Sequence, residues 1–516
     1  MGVVTCDPVF HPGLDKLNTE SLTRLASGQR IQIKISEEIW QRLDQFRSIV
    51  LEKAEGELSC YGINTGFGYL SDVRIGKDQL DQLQQNLIRS HACGVGSPVS
   101  PDIVRAMIIL KMHHFAIGYS GISRACMQAL QSCLSHDLLP VIPDKGSVGA
   151  SGDLAPLAHL ALGMMGEGDV FFRGERIAAA QALREAGLKP FSPGIKEGLS
   201  LINGTHFMSS LAAFAVQEAD TLLRSADIIA ALSVDAFRGT PVAFDTEIQE
   251  VRPYQGQRLV AANLRTLLSG ADEIRDSHKD CDKVQDPYSF RCIPQVHGAS
   301  RDALSWIRDQ TNTELNSVTD NPLVFPDRTV RSGGNFHGQP LALAMDFLCL
   351  AISEAGSLSE RRTEKLTNPA QSGLPAFLSH NSGLNSGYMI PHVVSASLAS
   401  ENKTLCHPAS ADSIPTSADK EDHVSMGPIA ARKAMMVNQN VAFILAIELL
   451  AACQALDLLS PLKPSAALSL IYHKVRELSP GMEQDRALYQ DIDIISRLIR
   501  EGGLIHLLKE AGLSLH

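Results

Sequence analysis

The 516-residue sequence has few aromatic residues, no cluster of basic residues and no zinc-binding H-E-x-x-H motif. Aromatic residues make up 5% of the chain while Ala and Leu are abundant, which favours helices over strands. Lys and Arg number 46 against 57 Asp and Glu, so the attraction that drives nucleic-acid binding is missing. The adjacent His113 and His114 point apart on a helix and cannot share one ion. We therefore expect neither a nucleic-acid partner nor a metal site.

Long hydrophobic runs and export signals are also missing. The most apolar late stretch, residues 441–459, is interrupted by Glu448 and Asp457, whereas a membrane span needs about 20 residues nearly free of such groups. This stretch is typical of a buried core helix. The first 14 residues lack the apolar centre of a signal peptide, and the ten cysteines form no C-x-x-C pair. The sequence predicts a cytoplasmic protein with no membrane partner.

Apolar spacing predicts long helices after residue 118. Residues that step by four and three positions, as on one face of a helix, are Ala344, Leu348, Ala351, Ala355 and Leu358. This helix should end near Asn368-Pro369, and two more are predicted at about 205–239 and 427–459. The preceding part mixes short apolar pieces with turns. We therefore predict a mainly α-helical protein, with a smaller mixed N-terminal domain (1–118) and a large helical bundle (119–516).

The densest small-residue loop is KGSVGASGDLAP at residues 145–156. Its glycines are typical of a flexible turn, and it lacks both the Walker Lys-Ser/Thr and the G-x-G-x-x-G of phosphate-binding loops. A third interpretation is chemical. Because Gly152 has no Cβ, its nitrogen can approach the carbonyl carbon of Ala150 and close a five-membered ring. Loss of water from the ring and from Ser151 would leave an electrophilic methylidene group.

Ala150-Ser151-Gly152 within GSVGASGDLAPLAH resembles the cofactor-forming loop of the ammonia-lyase and aminomutase family. Further matching segments follow in the family's order: YGINTGFG (61–68), NLIRSHACGVG (86–96), EGLSLINGT (197–205), QDPYSFRCIPQV (285–296), TDNPLVF (319–325), SGGNFHGQP (332–340) and TSADKEDHVSMG (416–427). The resemblance implies an ammonia-lyase/fumarase-like helical fold. It also implies a 4-methylidene-imidazol-5-one cofactor formed from residues 150–152, no external cofactor, and a homotetramer whose active sites are shared between chains.

The resemblance implies non-oxidative deamination of L-histidine to trans-urocanate and ammonia. Histidine-selective members carry S-H-A beside the substrate ring, as Ser90-His91-Ala92 does here. One imidazole can bind another because each donates from one nitrogen and accepts at the other, although a lone His91 is also typical of a satisfied core residue. Two alternatives stay open. The chain is either a family member acting on another aromatic or modified-histidine substrate, or a helical scaffold without catalysis.

Three further residues have a catalytic interpretation through the resemblance. Tyr61 is either a loop aromatic or the base that takes the substrate's β-proton. Glu421, in the charged run KEDH, is either in a solvated helix start or turned inward to accept from the imidazole N–H and assist proton transfer. Tyr288 lies three residues before Arg291, so a helical turn would put both on one side.

The expected substrate-binding residues are polar except for one. Arg291 is either in a structural ion pair or, by resemblance, the bidentate partner of the substrate carboxylate. Gln285 and Tyr288 would complete that polar wall. Asn203 is either a helix N-cap or, by resemblance, a hydrogen-bond partner of the substrate or the ring. Phe336 is expected to form an apolar wall.

Two positions depart from histidine-selective relatives. The chain has Asp419-Lys420-Glu421 where they read N-Q-E, and His206 where the last residue of their N-G-T-Q stands. Lys420 places an ammonium next to Glu421, so we expect it to affect how that carboxylate receives a neutral imidazole.

Overall fold

The computed structural model describes residues 8–28, 31–281 and 283–516, in which long helices predominate over short strands. The helices are α1 (Thr19–Ala26), α2 (Glu37–Glu55), α3 (Leu80–His91), α4 (Pro101–Ile117), α5 (Arg124–Ser135), α6 (Leu154–Met164), α7 (Ala179–Glu185), α8 (Glu197–Ile202), α9 (His206–Ala236), α10 (Thr246–Glu250), α11 (Gln255–Leu267), α12 (Glu273–Asp276), α13 (Tyr288–Arg291), α14 (Ile293–Leu315), α15 (Gln339–Thr367), α16 (Pro369–Ser372), α17 (Met389–Leu405), α18 (Gly427–Leu459), α19 (Ala466–Leu478), α20 (Tyr489–Arg500) and α21 (Gly503–Glu510). The strands are β1 (Val9–Phe10), β2 (Gln32–Ile33), β3 (Val95–Pro98), β4 (Leu138–Pro140), β5 (Pro143–Lys145), β6 (Asp169–Phe172), β7 (Glu175–Ala178), β8 (Leu323–Val324) and β9 (Val330–Arg331). The predicted mainly α-helical fold is confirmed.

The described residues form two compact units. The first contains the described part of residues 1–214 together with Arg308–Met345 and Pro408–Arg432. The second contains the described part of residues 215–307 together with Asp346–His407 and Lys433–His516. This spatial division differs from the boundary expected near residue 118. The behaviour of residues 1–118 as a separate domain stays a prediction.

The long predicted helices are confirmed to within a few residues. Helix α9 corresponds to the predicted segment 205–239, α15 ends at Thr367 before Asn368-Pro369, and α18 begins at Gly427 and ends at Leu459. Helices α15 and α18 are long and apolar enough to cross a membrane, but 61% and 83% of their most apolar windows are buried within the fold. Both are therefore core helices, as predicted for residues 441–459.

The N-terminal segment is more helical than the sequence indicated. Helix α2 buries one stripe that includes Ile39, Leu43 and Phe46, and it begins after the N-cap Ser36. Helix α4 is buried on nearly every side, so it shows no amphipathic period from which it could be predicted.

Short strands lead into the loop at residues 146–153. Strand β3 pairs antiparallel with β5, with Val95 opposite Lys145 and Pro98 opposite Pro143. Strands β4, β6 and β7 form a three-stranded antiparallel sheet, with Leu138 opposite Phe172. Because β5 precedes the loop and α6 follows it at Leu154, both ends of the loop are anchored in regular structure.

Candidate active site

The loop at residues 146–153 is held by close contact between two backbones. Gly152 has a φ of +73° and forms an isolated parallel bridge with Gly204. Asp153 N donates to Gly204 O at 2.8 Å, and Gly204 N donates to Ser151 O at 3.5 Å. A Cβ added to Gly152 would overlap the Gly204 carbonyl group. Only glycine therefore fits at position 152 without displacing the neighbouring backbone.

Asp153 connects this loop to α9. Its Oδ2 accepts from Phe207 N at 2.9 Å and from Met208 N at 3.0 Å, which satisfies two N–H groups in the first turn of that helix. Burial raises the pKa of Asp153 to about 7, although the two backbone donors act in the opposite direction. The side chain that follows the loop thus fixes the start of a second helix.

Asn203 contacts the central residue of the loop. Its Nδ2 donates to Ser151 O at 3.2 Å, and its buried Oδ1 has no hydrogen-bond partner within the described ranges. The residue follows the last turn of α8, and the first N–H groups of α9 bind Asp153. Asn203 therefore binds the Ser151 carbonyl group. It is not the N-cap of α9, which was the other interpretation.

Two histidines and a lysine lie in the core beside this turn. Lys111 Nζ donates to Ser200 O at 3.0 Å and to Asn203 O at 2.8 Å, and burial lowers its pKa to about 7. The His206 Nε2 and His114 Nδ1 atoms are 2.9 Å apart, with the rings stacked. Burial lowers the pKa of both histidines, so the pair stays neutral. This pair accounts for His206, which the sequence left unexplained.

Glu421 lies against the other side of the loop. Its Oε1 accepts from Ser151 Oγ at 2.9 Å, and its Oε2 accepts from Thr416 Oγ1 at 2.7 Å and Ser417 Oγ at 2.8 Å. The segment is a turn and not the start of a helix, since Thr416 and Glu421 form a backbone bridge and α18 begins only at Gly427.

The segment after Glu421 is joined to the loop by both backbone and apolar contacts. Met426 N donates to Val148 O at 2.9 Å, and Ser425 Oγ donates to Gly149 O at 3.2 Å. Ala150 is buried in a small apolar cluster with Val424 and Met426. These contacts bring Glu421 to Ser151 across 270 residues of sequence.

A cavity of about 1090 Å³ opens over the loop. Its walls include seven residues that the sequence singled out: Tyr61, His91, Ala150, Ser151, Asn203, Phe336 and Glu421. Gly152 belongs to the same loop but is buried beneath this surface. Lys420 also lines the cavity and makes no ion pair with any described residue. The structure thus brings most of the expected site together within the first compact unit.

The environment of Tyr61 affects its pKa, whereas that of His91 fixes the orientation of its ring nitrogens. Burial raises the pKa of Tyr61, the Glu421 carboxylate raises it further, and a backbone hydrogen bond from Gly68 opposes both. His91 ends α3, where its Nδ1 is 2.8 Å from Leu87 O. A neutral ring that donates from Nδ1 to this carbonyl has an unprotonated Nε2, which can accept a hydrogen bond.

Three predicted residues lie elsewhere. Gln285, Tyr288 and Arg291 belong to the second compact unit and are not among the described residues that line the cavity. The predicted helical turn is confirmed as α13, and the Arg291 guanidinium lies 4.5 Å from the centre of the Tyr288 ring. Gln285 and Tyr288 are exposed. This placement leaves their side chains accessible to another molecule.

A family model for aromatic amino acid lyases matches residues 17–477. The chain belongs to the aromatic amino acid lyase family. It is 52% identical to the histidine ammonia-lyase of Sorangium cellulosum over 87% of this chain and 89% of that protein. It is 47% identical to the histidine ammonia-lyase of Myxococcus xanthus over 96% and 98% of the two chains. The crystal structure of histidine ammonia-lyase from Trypanosoma cruzi matches with a TM-score of 0.89 and 44% identity, covering 97% of this chain and 95% of that one.

The loop of this aromatic amino acid lyase fits a backbone-derived cofactor. Gly152 has no Cβ where the Gly204 carbonyl approaches, Asn203 holds the Ser151 carbonyl, and an unpartnered Asn203 oxygen is buried at the same place. Within residues 8–28, 31–281 and 283–516, no group of three or more His, Cys, Asp or Glu side chains is arranged to hold a metal ion.

Proposed function

We propose that this aromatic amino acid lyase removes ammonia from L-histidine and releases trans-urocanate. The reaction uses a 4-methylidene-imidazol-5-one ring that forms from Ala150, Ser151 and Gly152 without an external cofactor. What the ring supplies is an electrophilic carbon that makes the substrate amine a leaving group. The observation that carries the proposal is the placement of Ser151, between the Asn203 amide and the Glu421 carboxylate, at the wall of a cavity that His91 also lines.

The imidazole of the substrate binds between two acceptors of this chain. In a neutral His91 ring, donation from Nδ1 to Leu87 O leaves Nε2 unprotonated, so Nε2 can accept from an imidazole N–H. The Glu421 carboxylate is a second acceptor in the same cavity wall. Phe336 supplies apolar surface for the ring faces. The pair of polar groups favours an imidazole over an unsubstituted phenyl ring, which has no N–H to donate.

The Ser151 carbonyl oxygen receives two donors. Asn203 Nδ2 lies 3.2 Å from it, and the Gly204 N–H approaches at 3.5 Å. Donors that are fixed in a buried site stabilise negative charge as it develops on a carbonyl oxygen. Asn203 therefore stabilises negative charge on the Ser151 carbonyl oxygen, and Lys111 holds the Asn203 backbone in place.

Tyr61 takes the β-proton of the substrate, and it needs help from outside this chain. Within the chain, burial and Glu421 raise the pKa of Tyr61, which disfavours the phenolate. A neighbouring chain that inserts residues 285–291 would add the Arg291 guanidinium, which binds the substrate carboxylate with Gln285 and Tyr288 and favours the phenolate. We therefore propose a homotetramer with shared sites, acting in the cytoplasm.

Exposed apolar surface supports this assembly. On the second-unit part of α15, Phe347 and Leu350 are exposed, and the Trp306 and Phe347 rings are in contact at 5.8 Å. Helix α17 exposes Ile390 and Val393. Exposed apolar patches of this kind on a folded chain are typical of subunit interfaces.

The test is a substrate panel with the purified protein. L-Histidine should yield urocanate, followed by its ultraviolet absorbance, whereas phenylalanine and tyrosine should yield little cinnamate or coumarate. Ser151→Ala has no hydroxyl to release, so it should form no methylidene group and lose turnover by roughly 1000-fold or more. The parent should be lighter than its encoded sequence by two water molecules.

Each competing function has its own signature in the same panel. A β-amino acid product would identify an aminomutase, and turnover of another aromatic or modified-histidine substrate would identify a different lyase. An unmodified parent mass together with no turnover would identify a scaffold. Histidine deamination by Ser151→Ala at the parental rate would contradict the proposed function itself.

A further inference from the structure

The Ser151 hydroxyl, which the proposed ring formation removes, is hydrogen-bonded to a carboxylate. Ser151 Oγ lies 2.9 Å from Glu421 Oε1, while hydroxyl groups of Thr416 and Ser417 hold the other carboxylate oxygen. A carboxyl group fixed through one oxygen, with the other against a hydroxyl, has the geometry of an acid–base partner for that hydroxyl.

The turn that carries Glu421 is fixed by its own backbone. Thr416 N donates to Glu421 O at 3.0 Å, and Glu421 N donates to Thr416 O at 3.3 Å. Between them, residues 417–419 have φ angles of 52° to 62°. Three successive residues in this left-handed region are costly, and such a conformation persists only where the surroundings hold it. The position of the carboxylate is therefore determined by the fold and does not depend on a bound ligand.

We propose that Glu421 is the acid that releases the Ser151 hydroxyl as water during ring formation, before any substrate binds. The proposal rests on the proposed function, because a chain that forms no ring has no hydroxyl to release. It gives Glu421 a task in making the site that is separate from its task in using the site.

The step balances without an oxidant or reductant. The Cα–H bond of Ser151 breaks, and its electron pair forms the double bond between Cα and Cβ. The Cβ–Oγ bond breaks, and its own bonding electron pair leaves with the oxygen, which takes a proton that the Glu421 carboxylate has first received from solvent. Solvent water accepts the Cα proton in exchange, so the net product is one water molecule.

Two other acidic groups lie close to the loop, and neither is hydrogen-bonded to the Ser151 hydroxyl. Asp153 is only two residues from Ser151, but its Oδ2 accepts the N–H groups of Phe207 and Met208, and its buried Oδ1 makes no hydrogen bond with any described residue, the Ser151 hydroxyl included. Tyr61 lines the cavity, and its hydrogen bond is with the backbone of Gly68. Within the described ranges, Glu421 is the carboxylate that contacts the Ser151 hydroxyl.

The proposal also explains how one carboxylate can serve two stages. While Ser151 keeps its hydroxyl, Oε1 of Glu421 is occupied. Once that oxygen has left as water, Oε1 has lost its partner, whereas Thr416 and Ser417 still hold Oε2. The free oxygen then faces the cavity and is available to the imidazole N–H of the substrate.

The experiment follows the mass of the loop peptide in newly synthesised full-length protein. Four chains are compared: the parent, Glu421→Gln, Glu421→Asp and the matched control Asp419→Asn. Asp419 carries the same charge two residues away and does not line the cavity, and Asn tolerates its φ of 62°. The parent and Asp419→Asn should lose two waters. Glu421→Gln should retain the Ser151 water, with loss slowed by about 100-fold or more. Glu421→Asp, which keeps a carboxyl group, should fall between them.

The outcomes separate this proposal from the proposed function. A parent chain that keeps its encoded mass contradicts the proposed function. If the parent and Glu421→Gln lose the Ser151 water at the same rate, only the role of Glu421 is overturned. The same holds if Glu421→Asp retains this water as fully as Glu421→Gln does. Should Glu421→Gln fail to fold, Glu421→Ala supplied with formate decides, because formate replaces the missing carboxyl group. Faster loss of water then supports the proposal, and an unchanged rate overturns it.

Discussion

The residues on the two sides of the Ala150–Gly152 loop differ in how deeply they are buried. The cavity side carries Tyr61, His91, Lys420 and Glu421, which are half-buried or exposed. The core side carries Lys111, Asp153, His206 and Asn203, each no more than 4% exposed, and Asn203 also reaches the cavity wall. Burial brings the pKa of both Lys111 and Asp153 to about 7, from opposite directions. The difference indicates a division of tasks in which the core side fixes the backbone and the cavity side binds and exchanges protons.

The largest effect is expected from Gly152→Ala on the core side. The added methyl group would overlap the Gly204 carbonyl, so the loop should fail to close and turnover should fall by roughly 1000-fold or more. Intact mass and the rate of urocanate formation measure both effects. Gly174→Ala is the matched control, because Gly174 also has a positive φ but has open space around it. Comparable loss of activity in the control would show that backbone strain alone, without the overlap, explains the result.

Asp153→Asn should change how stability depends on pH. The pKa of Asp153 is raised to about 7 in the folded chain, so its contribution is complete below the usual value of 3.8 and is lost as pH rises through 7. At about 1.4 kcal/mol per pKa unit, the effect is on the order of 4 kcal/mol. Urea unfolding between pH 4 and 8 should show a shallower decline for Asp153→Asn than for the parent. Parallel curves would contradict the burial effect.

Lys111→Met should have an intermediate effect. It leaves the buried carbonyl groups of Ser200 and Asn203 without their donor, at a cost of about 1–3 kcal/mol. Turnover should fall on the order of 10-fold with little change in KM, because Asn203 loses its support while the cavity wall is intact. Since burial lowers the pKa of Lys111 from 10.5 to about 7, the parent should also gain stability between those pH values. A similar gain in stability in Lys111→Met would show that other titrating groups cause it.

The smallest effect is expected on the cavity side, from Lys420→Gln. The side chain is exposed and makes no ion pair within the described ranges, so the free energy of unfolding should change by less than about 0.5 kcal/mol. Removal of its charge beside Glu421 should raise kcat/KM for L-histidine by roughly 2- to 5-fold at low salt, and less at high salt. If the free energy of unfolding changes by more than the free-energy equivalent of the change in kcat/KM, the distinction between the two sides is contradicted.

The sequence predicted the cavity side better than the core side, for physical reasons. The cavity residues lie in segments that resemble those of the family, and this resemblance implies an inward Glu421 where the charged run KEDH alone is typical of a solvated helix start. The contact between Asp153 and Phe207 N joins positions 54 residues apart and has no local pattern. Lys111 did leave a signal, as a single cation within the apolar run IILKMHHF, which indicates a buried lysine with polar partners.

The long helices were predictable where apolar residues recur at helical spacing along the sequence. Helices α9 and α15 show that spacing, whereas α4 is buried all round and α2 lies in a part of the chain that was expected to be irregular. Gln285, Tyr288 and Arg291 belong to the second compact unit and do not line the cavity among the described residues, so their part in the site stays a prediction.

The long sequence separation between the partners of the loop has a consequence for protein synthesis. A ribosome completes Ser151 well before it reaches Phe207, whose N–H binds Asp153, and 270 residues before Glu421. A nascent chain therefore carries the tripeptide long before it carries the groups that hold it. Chains truncated before Glu421 should leave the ribosome with an unaltered serine. The chemical state of residue 151 would therefore show whether translation had passed Glu421.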